Sequence, residues 1–73
     1  MNLNDFMSHM KHKSLSIKIE KLIPNEELGL TTKLLYDGDV GTYGTTVIKS
    51  QIGNEKIFVI NPEDNLLIII LCQ

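Results

Sequence analysis

Three residue types are missing from this 73-residue chain: arginine, alanine and tryptophan. All seven basic residues are therefore lysines, and with nine acidic residues the net charge is −2. Arginine supplies bidentate contacts to guanine and phosphate, so its absence argues against sequence-specific reading of DNA. A net charge this small also creates no field that attracts nucleic acid or a membrane surface. We therefore expect neither of these partners.

Cysteine and long apolar runs are also scarce. Cys72 is the single cysteine, so an internal disulfide is excluded and nothing points to an oxidising compartment. The longest apolar run, Leu66 to Cys72, is far shorter than the roughly 20 residues of a membrane-spanning helix. The N-terminus lacks the apolar segment of a signal peptide. We expect a cytoplasmic protein.

Groups for catalysis are few. A nucleophile needs a base within reach, but Cys72 and the two histidines lie at opposite ends of the sequence. A chain this short forms one domain, here residues 1–73, with a small core and little room for a deep cleft. The sequence therefore predicts no enzyme and no cofactor. Abundant isoleucine, asparagine and lysine are typical of AT-rich coding DNA, as in low-GC bacteria and their phages.

Hydrophobic periodicity predicts one helix followed by strands. Leu3, Phe6, Met7 and Met10 recur at helical spacing, which predicts a helix over about residues 2–12. Beyond it, alternation and turn signals indicate a mainly antiparallel, curved sheet, because short turns leave no room for helical crossovers. The α+β fold then has the helix on one face of the sheet or in the end of a small barrel. The five predicted strands cover about 14–22, 30–36, 45–52, 56–60 and 66–71.

The last strand, "LLIIIL", has six aliphatic residues in a row. A strand with one face in water would alternate, so this strand is either covered on both faces within the chain or covered on one face by another chain. The second reading predicts a homo-oligomer or partner interface formed by Leu67, Ile69 and Leu71.

The stretch "DGDVGTYGTT" at residues 37–46 resembles a ligand site at first sight. It has only two carboxylates where a calcium loop needs more, and its glycines match neither nucleotide-binding pattern. No helix is predicted after it that would direct amide groups at a phosphate. The stretch therefore predicts a strand connection, with a turn at Asp37-Gly38 and Tyr43 exposed at the tip.

Acidic residues concentrate in the predicted loops and turns. They are either ordinary solvated residues or a patch that meets a basic surface on a partner. The second alternative depends on the 23–29 and 37–44 loops lying on the same side of the domain. Together with Tyr43, the candidate contacts are Glu26, Glu27, Asp37, Asp39, Glu63 and Asp64.

One side of the predicted helix carries Asp5, His9 and His12, which is a chemically suitable set for zinc. The histidines lie near a helix end, and the sequence supplies no evident fourth ligand. We therefore interpret this set as a solvated polar face and expect no metal site.

The opening "MNLNDFMSHMKHKSLSIKI" resembles that of a family of small phage-encoded anti-CRISPR proteins of type II-A systems. That family begins with a short helix led by Met-Asn-x-Asn-Asp, followed by a Lys-x-Lys step into an alternating strand. The resemblance covers about a quarter of the chain and implies a cytosolic inhibitor of a guide-RNA nuclease. The matching residues are Met1, Asn2, Asn4, Asp5, Lys11, Lys13 and Lys18, with apolar residues at positions 3, 6, 7, 10, 17 and 19.

Three functions remain open at this point. The first is a phage or mobile-element protein that acts by binding another protein, such as a CRISPR effector nuclease. The second is an Sm-like small barrel that binds RNA as an oligomer, since a short helix followed by five strands is also the order of that family. The third is a structural oligomer without a ligand. The small size and missing catalytic groups favour the first.

Overall fold

The computed structural model describes residues 1–10, 15–45 and 48–73. These residues form three short helices and one four-stranded mixed sheet with strand order β2-β1-β4-β3. The predicted α+β class is confirmed, while the described strands do not close into a barrel. The elements are α1 (Leu3–Ser8), β1 (Ser16–Asn25), β2 (Gly29–Asp39), α2 (Val40–Tyr43), α3 (Ile48–Ile52), β3 (Ile57–Glu63) and β4 (Leu66–Leu71).

Helix α1 is shorter than predicted. Asn2 caps its start by accepting a hydrogen bond from the backbone N–H of Asp5 at 2.8 Å. At its end, Ser8 Oγ donates to the carbonyl oxygen of Asp5, and His9 Nδ1 lies 2.6 Å from that oxygen. These side chains occupy the carbonyl oxygen of Asp5, which would otherwise accept a backbone hydrogen bond within a longer helix. His9 and Met10 lie beyond the end of α1, and residues 11–12 of the predicted helix lie outside the described residues.

The sheet consists of two antiparallel hairpins joined by a parallel pair at its centre. Strand β1 pairs antiparallel with β2, β3 pairs antiparallel with β4, and β1 runs parallel to β4 from Ser16↔Leu66 to Lys21↔Leu71. The mainly antiparallel prediction holds for two of these three pairings. The parallel pair exists because the chain between β2 and β3 crosses from one edge of the sheet to the other, carrying α2 and α3.

The prediction of a strand at about residues 45–52 is wrong. Residues Ile48–Ile52 form α3, and Thr46 and Val47 lie outside the described residues. Isoleucine favours strands only weakly, and tertiary packing overrides that preference. Ile48 and Ile52 are four residues apart, so one turn of helix places both against the core cluster.

The turn between β1 and β2 is tighter than the predicted 23–29 loop. Strand β1 continues through Pro24, which lies beyond the last residue that pairs with β4, so its missing N–H is not needed there. The side-chain oxygen of Asn25 then accepts hydrogen bonds from the N–H groups of Glu27 and Leu28. Gly29 closes the hairpin at φ +82°, a conformation that glycine adopts without strain.

Strands β3 and β4 are joined by the two residues Asp64 and Asn65. Asn65 has φ 58°, in the left-handed region that asparagine tolerates. The turn predicted at 61–64 therefore lies slightly further along the chain. Strand β3 includes Pro62, as an edge strand permits.

The core lies between one face of the sheet and the helices. Ile17 and Ile19 of β1 and Ile69 and Leu71 of β4 are 0% exposed. They pack in one cluster with buried residues of α1 and α2 and with partly buried residues of α3. We call this side of the sheet the covered face. The helix residues of the cluster are Leu3, Phe6, Met7, Val40, Tyr43, Ile48 and Ile52.

Candidate protein-binding surface

The aliphatic run of β4 divides between the two faces of the sheet. Ile69 and Leu71 are fully buried and Leu67 packs against the core, all three on the covered face. The prediction that Leu67, Ile69 and Leu71 form an intermolecular interface is therefore wrong, because the crossover helices already cover them. The residues on the opposite face are Leu66, Ile68 and Ile70, and they remain partly exposed.

We call that opposite side the open face, because no described helix packs on it. The strand register places Lys18 of β1 beside Ile68, and Glu20 beside Ile70. On the other flank, Val59 of β3 pairs with Ile70. An aliphatic stripe on β4 is therefore bordered by a lysine and a glutamate on β1. The register places residues of both edge strands on the same face, so the open face is defined by Lys18, Glu20, Leu34, Asp37, Val59, Asn61, Glu63, Leu66, Ile68 and Ile70.

The hairpin of β1 and β2 extends beyond the rest of the sheet. Pairing with β4 ends at Lys21, whereas β1 and β2 stay paired with each other up to Asn25↔Gly29. We call residues 22–32 the hairpin arm. Its exposed leucines, Leu28 and Leu30, are 74% and 48% exposed, whereas Leu34, at 51%, lies beside Glu20 on the open face. A two-stranded ribbon is marginally stable by itself, so these exposed apolar residues are the feature that most needs an explanation.

The acidic residues do not form a single patch. Glu26 and Glu27 occupy the tip of the hairpin arm, while Asp37 and Asp39 lie at the other end of β2. At about 3.3 Å per strand residue these two groups are roughly 30 Å apart. A single acidic patch required the 23–29 and 37–44 loops to lie on the same side of the domain. They do not, because the continuous strand β2 separates them.

A different pair of acidic groups does share one end of the sheet. The register aligns Asp39 with Ser16, Ser16 with Leu66, and Leu66 with Glu63. Glu63 and the neighbouring Asp64 are exposed at the turn between β3 and β4. Among the described residues, this end of the sheet therefore carries acidic side chains, with the aspartates on one edge strand and the glutamate on the other.

Asp39 has a structural role. Its side chain caps α2 by accepting a hydrogen bond from the backbone N–H of Thr42. That hydrogen bond stabilises the carboxylate and lowers the pKa of Asp39 below its ordinary value. Strand β2 runs on through Asp37-Gly38, so the predicted turn there is wrong, as is the expectation that no helix follows. Helix α2 has only four residues.

Tyr43 is buried, which corrects the prediction that it is exposed at a loop tip. It is 1% exposed, and its ring meets that of Tyr36 edge-to-face with centroids 5.4 Å apart. Burial raises the pKa of Tyr43 above its ordinary value. Tyr36 O–H donates to the carbonyl oxygen of Asp39 at 2.8 Å. The spacing of Val40 and Tyr43, three residues apart, is the sequence signal that indicates a buried helical turn here.

A cavity of about 320 Å³ lies between α1 and the segment that carries α2 and α3. Asn4 is one of its lining residues, and the Oδ1 atom of Asn4 is buried without a hydrogen-bond partner among the described residues. Its lining residues are Asn4, Met7, Ser8, Val40, Tyr43, Gly44 and Lys49.

Ser8 and His9 form a contact that superficially resembles a nucleophile and its base. Ser8 Oγ lies 3.4 Å from His9 Nδ1. However, the carbonyl oxygen of Asp5 is 2.6 Å from the same nitrogen, and a carbonyl can only accept. Nδ1 therefore carries the proton and cannot accept one from Ser8.

Over residues 1–10, 15–45 and 48–73, no three histidine, cysteine, aspartate or glutamate side chains are grouped as metal ligands; His12 lies outside these ranges. Within the same part of the chain, no helix has the length and apolar character needed to cross a membrane. In comparisons with known proteins, no family model matches the chain, and neither a curated protein nor a solved structure is significantly similar to it.

Proposed function

We propose that this protein acts by binding another protein, without chemistry of its own, and that the hairpin arm is the primary contact. The supporting observation is the exposure of Leu28 and Leu30 on a ribbon that extends past the sheet. Buried apolar side chains dominate the energetics of protein interfaces, and an arm that projects from a compact domain can enter a groove on a partner.

The charges around the arm suggest the character of the partner. Glu26 and Glu27 are exposed at the tip, in the same turn as Leu28. Complementary charge increases the rate of encounter and selects among partners. A groove that is apolar inside and basic at its far end would fit this arrangement.

Among proteins with basic grooves we propose a CRISPR effector nuclease as the partner, with the chain acting as an inhibitor encoded by a phage or mobile element. The resemblance of the opening sequence supports this choice. Asn2 of that opening caps α1, and Asn4 is joined to the 53–57 segment by a backbone hydrogen bond to the Gly53 carbonyl oxygen at 2.8 Å. These residues serve as scaffold, so the contacts themselves are assigned to the arm.

The test is binding to purified CRISPR effector nucleases loaded with guide RNA, together with their DNA cleavage. We expect wild type to bind and inhibit, and the double variant Leu28→Ser/Leu30→Ser to weaken both by at least tenfold. Thr32→Ser is the matched control, since it introduces the same side chain on the same strand of the arm. Circular dichroism shows whether the variants remain folded.

Two results would contradict the proposal. One is wild-type protein that neither binds nor inhibits any nuclease of the panel. The other is a folded double variant that inhibits as well as wild type, which would remove the arm from the interface. The RNA-binding alternative depended on a closed small barrel and a ring, and the described strands form an open sheet.

A further inference from the structure

Building on protein binding through the hairpin arm, the function proposed above, we propose that the arm and the open face form one continuous surface for a basic amphipathic helix of the same partner. This adds the rest of the contact area, the secondary structure of the occupant and the sign of its charge. The structural basis is the juxtaposition, on one side of the sheet, of the β4 stripe with apolar residues of the arm.

The arm and the open face are continuous because β1 runs through both. Ile17 and Ile19 are buried on the covered face, so the even-numbered residues of β1 lie on the opposite side. The pairing of β1 with β2 is regular from Glu20 to the tip, which carries the same side onto the arm. The apolar residues of the arm on this side are Leu22, Pro24 and Leu30, of which Leu30 pairs with Pro24.

The apolar residues follow one line along the sheet. Strands β1 and β4 are parallel, so the β4 stripe continues in the same direction into Leu22 of the neighbouring strand. Ser16 lies level with Leu66, and the distance along β1 from Ser16 to Pro24 is roughly 26 Å at about 3.3 Å per residue. An α-helix of about 18 residues has that length. One helix along the strands would therefore contact both ends of the surface.

The width of the apolar surface favours a helix over a second sheet. On β4 the stripe is one strand wide, and apart from Val59 the residues beside it are polar. Two packed sheets interdigitate side chains over several strands, whereas a surface helix presents a narrow apolar stripe between charged residues. The polar residues beside the stripe are Ser16, Lys18 and Glu20 on β1 and Asn61 and Glu63 on β3.

The charges indicate that the occupant is basic. Among the described residues of the open face, the carboxylates of Glu20, Asp37 and Glu63 outnumber the single ammonium group of Lys18. Asp37 is the cross-strand neighbour of Lys18 and offsets its charge. Glu20 lies between an aliphatic residue of β2 and one of β4, and no ion pair of Glu20 is found within the described part of the chain. A helix that covers this carboxylate must bring a lysine or arginine to it, because an unpaired buried charge is strongly unfavourable.

The combined area also favours one continuous surface. One side of the two-stranded arm, about 10 Å by 15 Å, presents roughly 150 Å², about a fifth of the 800 Å² or so that each partner buries in a standard interface. The four strands of the open face add roughly 20 Å by 20 Å, or about 400 Å². The arm alone is therefore too small for a standard interface, and the two together approach one.

The experiment is a titration of the full, ¹⁵N-labelled chain with an amphipathic peptide of about 18 leucine and lysine residues, followed by amide chemical shifts. We expect the amides of Leu30 on the arm and Ile68 on β4 to shift together, with one dissociation constant. Ile68→Ser should raise this constant about fivefold at both ends of the surface, whereas Ile68→Val should leave it within about twofold of wild type. Circular dichroism shows whether the variants remain folded.

A second peptide, with glutamate in place of lysine, tests the charge. It should bind wild type about fivefold more weakly than the lysine peptide, and Glu20→Lys should reduce that preference. Equal binding of the two peptides would overturn the proposal. Shifts confined to the arm, different dissociation constants for the arm and β4, or no binding of the lysine peptide would overturn it as well.

The nuclease assays report separately on the proposed function. Inhibition that is lost in Leu28→Ser/Leu30→Ser but fully retained in folded Ile68→Ser would support the nuclease as partner and overturn the continuous surface. Peptide binding as expected, together with no binding to any nuclease, would support the continuous surface and remove the nuclease as partner.

Discussion

The two faces of β4 consist of the same kind of residue but differ in burial. Ile69 is 0% exposed beneath the helices, whereas its neighbours Ile68 and Ile70 remain partly exposed on the other side. Composition alone therefore does not determine which aliphatic residues form the core. The path of the chain between β2 and β3 does, because it carries α2 and α3 across one face only. The unbroken aliphatic run of β4 predicts that both faces of this strand are buried, whereas the described helices bury only one of them.

The largest expected effect comes from replacing matched residues on the two faces. Ile69→Ala should lower the free energy of unfolding by about 2–5 kcal/mol, because it opens a cavity in a packed core. Ile68→Ala removes the same atoms from a partly exposed position and should lower it by less than about 1 kcal/mol in dilute solution. Urea denaturation of monomeric protein measures both values. Equal losses would mean that the two faces are equally buried.

A second, smaller effect tests how α1 is held on the covered face. Gly53 is buried, and a Cβ atom at this position would collide with the side chain of Asn4. Gly53→Ala should therefore lower the free energy of unfolding by about 1–3 kcal/mol, through overpacking. The double variant Asn4→Ala/Gly53→Ala relieves the collision, so its loss should be smaller than the sum of the single losses. Strict additivity would contradict this contact.

The smallest expected effect concerns Asp39, at the acidic end of the sheet. Asp39→Ala removes the cap of α2 and should lower the melting temperature by a few degrees, whereas Asp39→Asn keeps a capping oxygen and should change it less. The control is Asp37→Asn, which removes a charge from the same strand; no hydrogen bond of the Asp37 side chain is described.

The same residue gives a pH dependence with a defined sign. The pKa of Asp39 is lower in the folded protein than in the unfolded chain, so its contribution to stability is present above the unfolded pKa. It is lost as the pH falls through the folded pKa, below about pH 4. Melting curves from pH 6 to pH 3 should therefore show a smaller decline for Asp39→Asn than for wild type. Parallel declines would show that the cap does not respond to protonation.

The sequence predicts elements with strong local patterns and fails where long-range contacts decide. Alternation around Ile17 and Ile19 and the run in β4 predict strands that the structure contains. The segment at 48–52 has strand-forming residues but becomes helix, since only a crossover can join the two edge strands. The parallel β1–β4 pair has no local signal either, because its partners are distant in the chain.

The candidate surface was predictable in type but not in position. The sequence shows that β4 is an aliphatic strand whose faces must both be covered. It does not show whether the even-numbered or the odd-numbered residues stay exposed, because that depends on which face of the sheet the helices pack against. Tyr43 illustrates the same point. The sequence around it is compatible with both a glycine-rich loop and a short helix, and only the hydrogen bond from the Thr42 N–H to Asp39 identifies the helix. The exposed leucines of the arm carry no sequence signal that separates them from core residues.

The central parallel pair also has a consequence for how quickly the protein can fold. Ser16 pairs with Leu66, about fifty residues later in the chain, so the middle of the sheet cannot form until a long loop has closed. The two hairpins contain only local contacts and can form early. Chains dominated by such distant pairings fold in milliseconds to seconds, much more slowly than helical domains of similar size. During that interval the aliphatic residues of β4 are exposed on both sides.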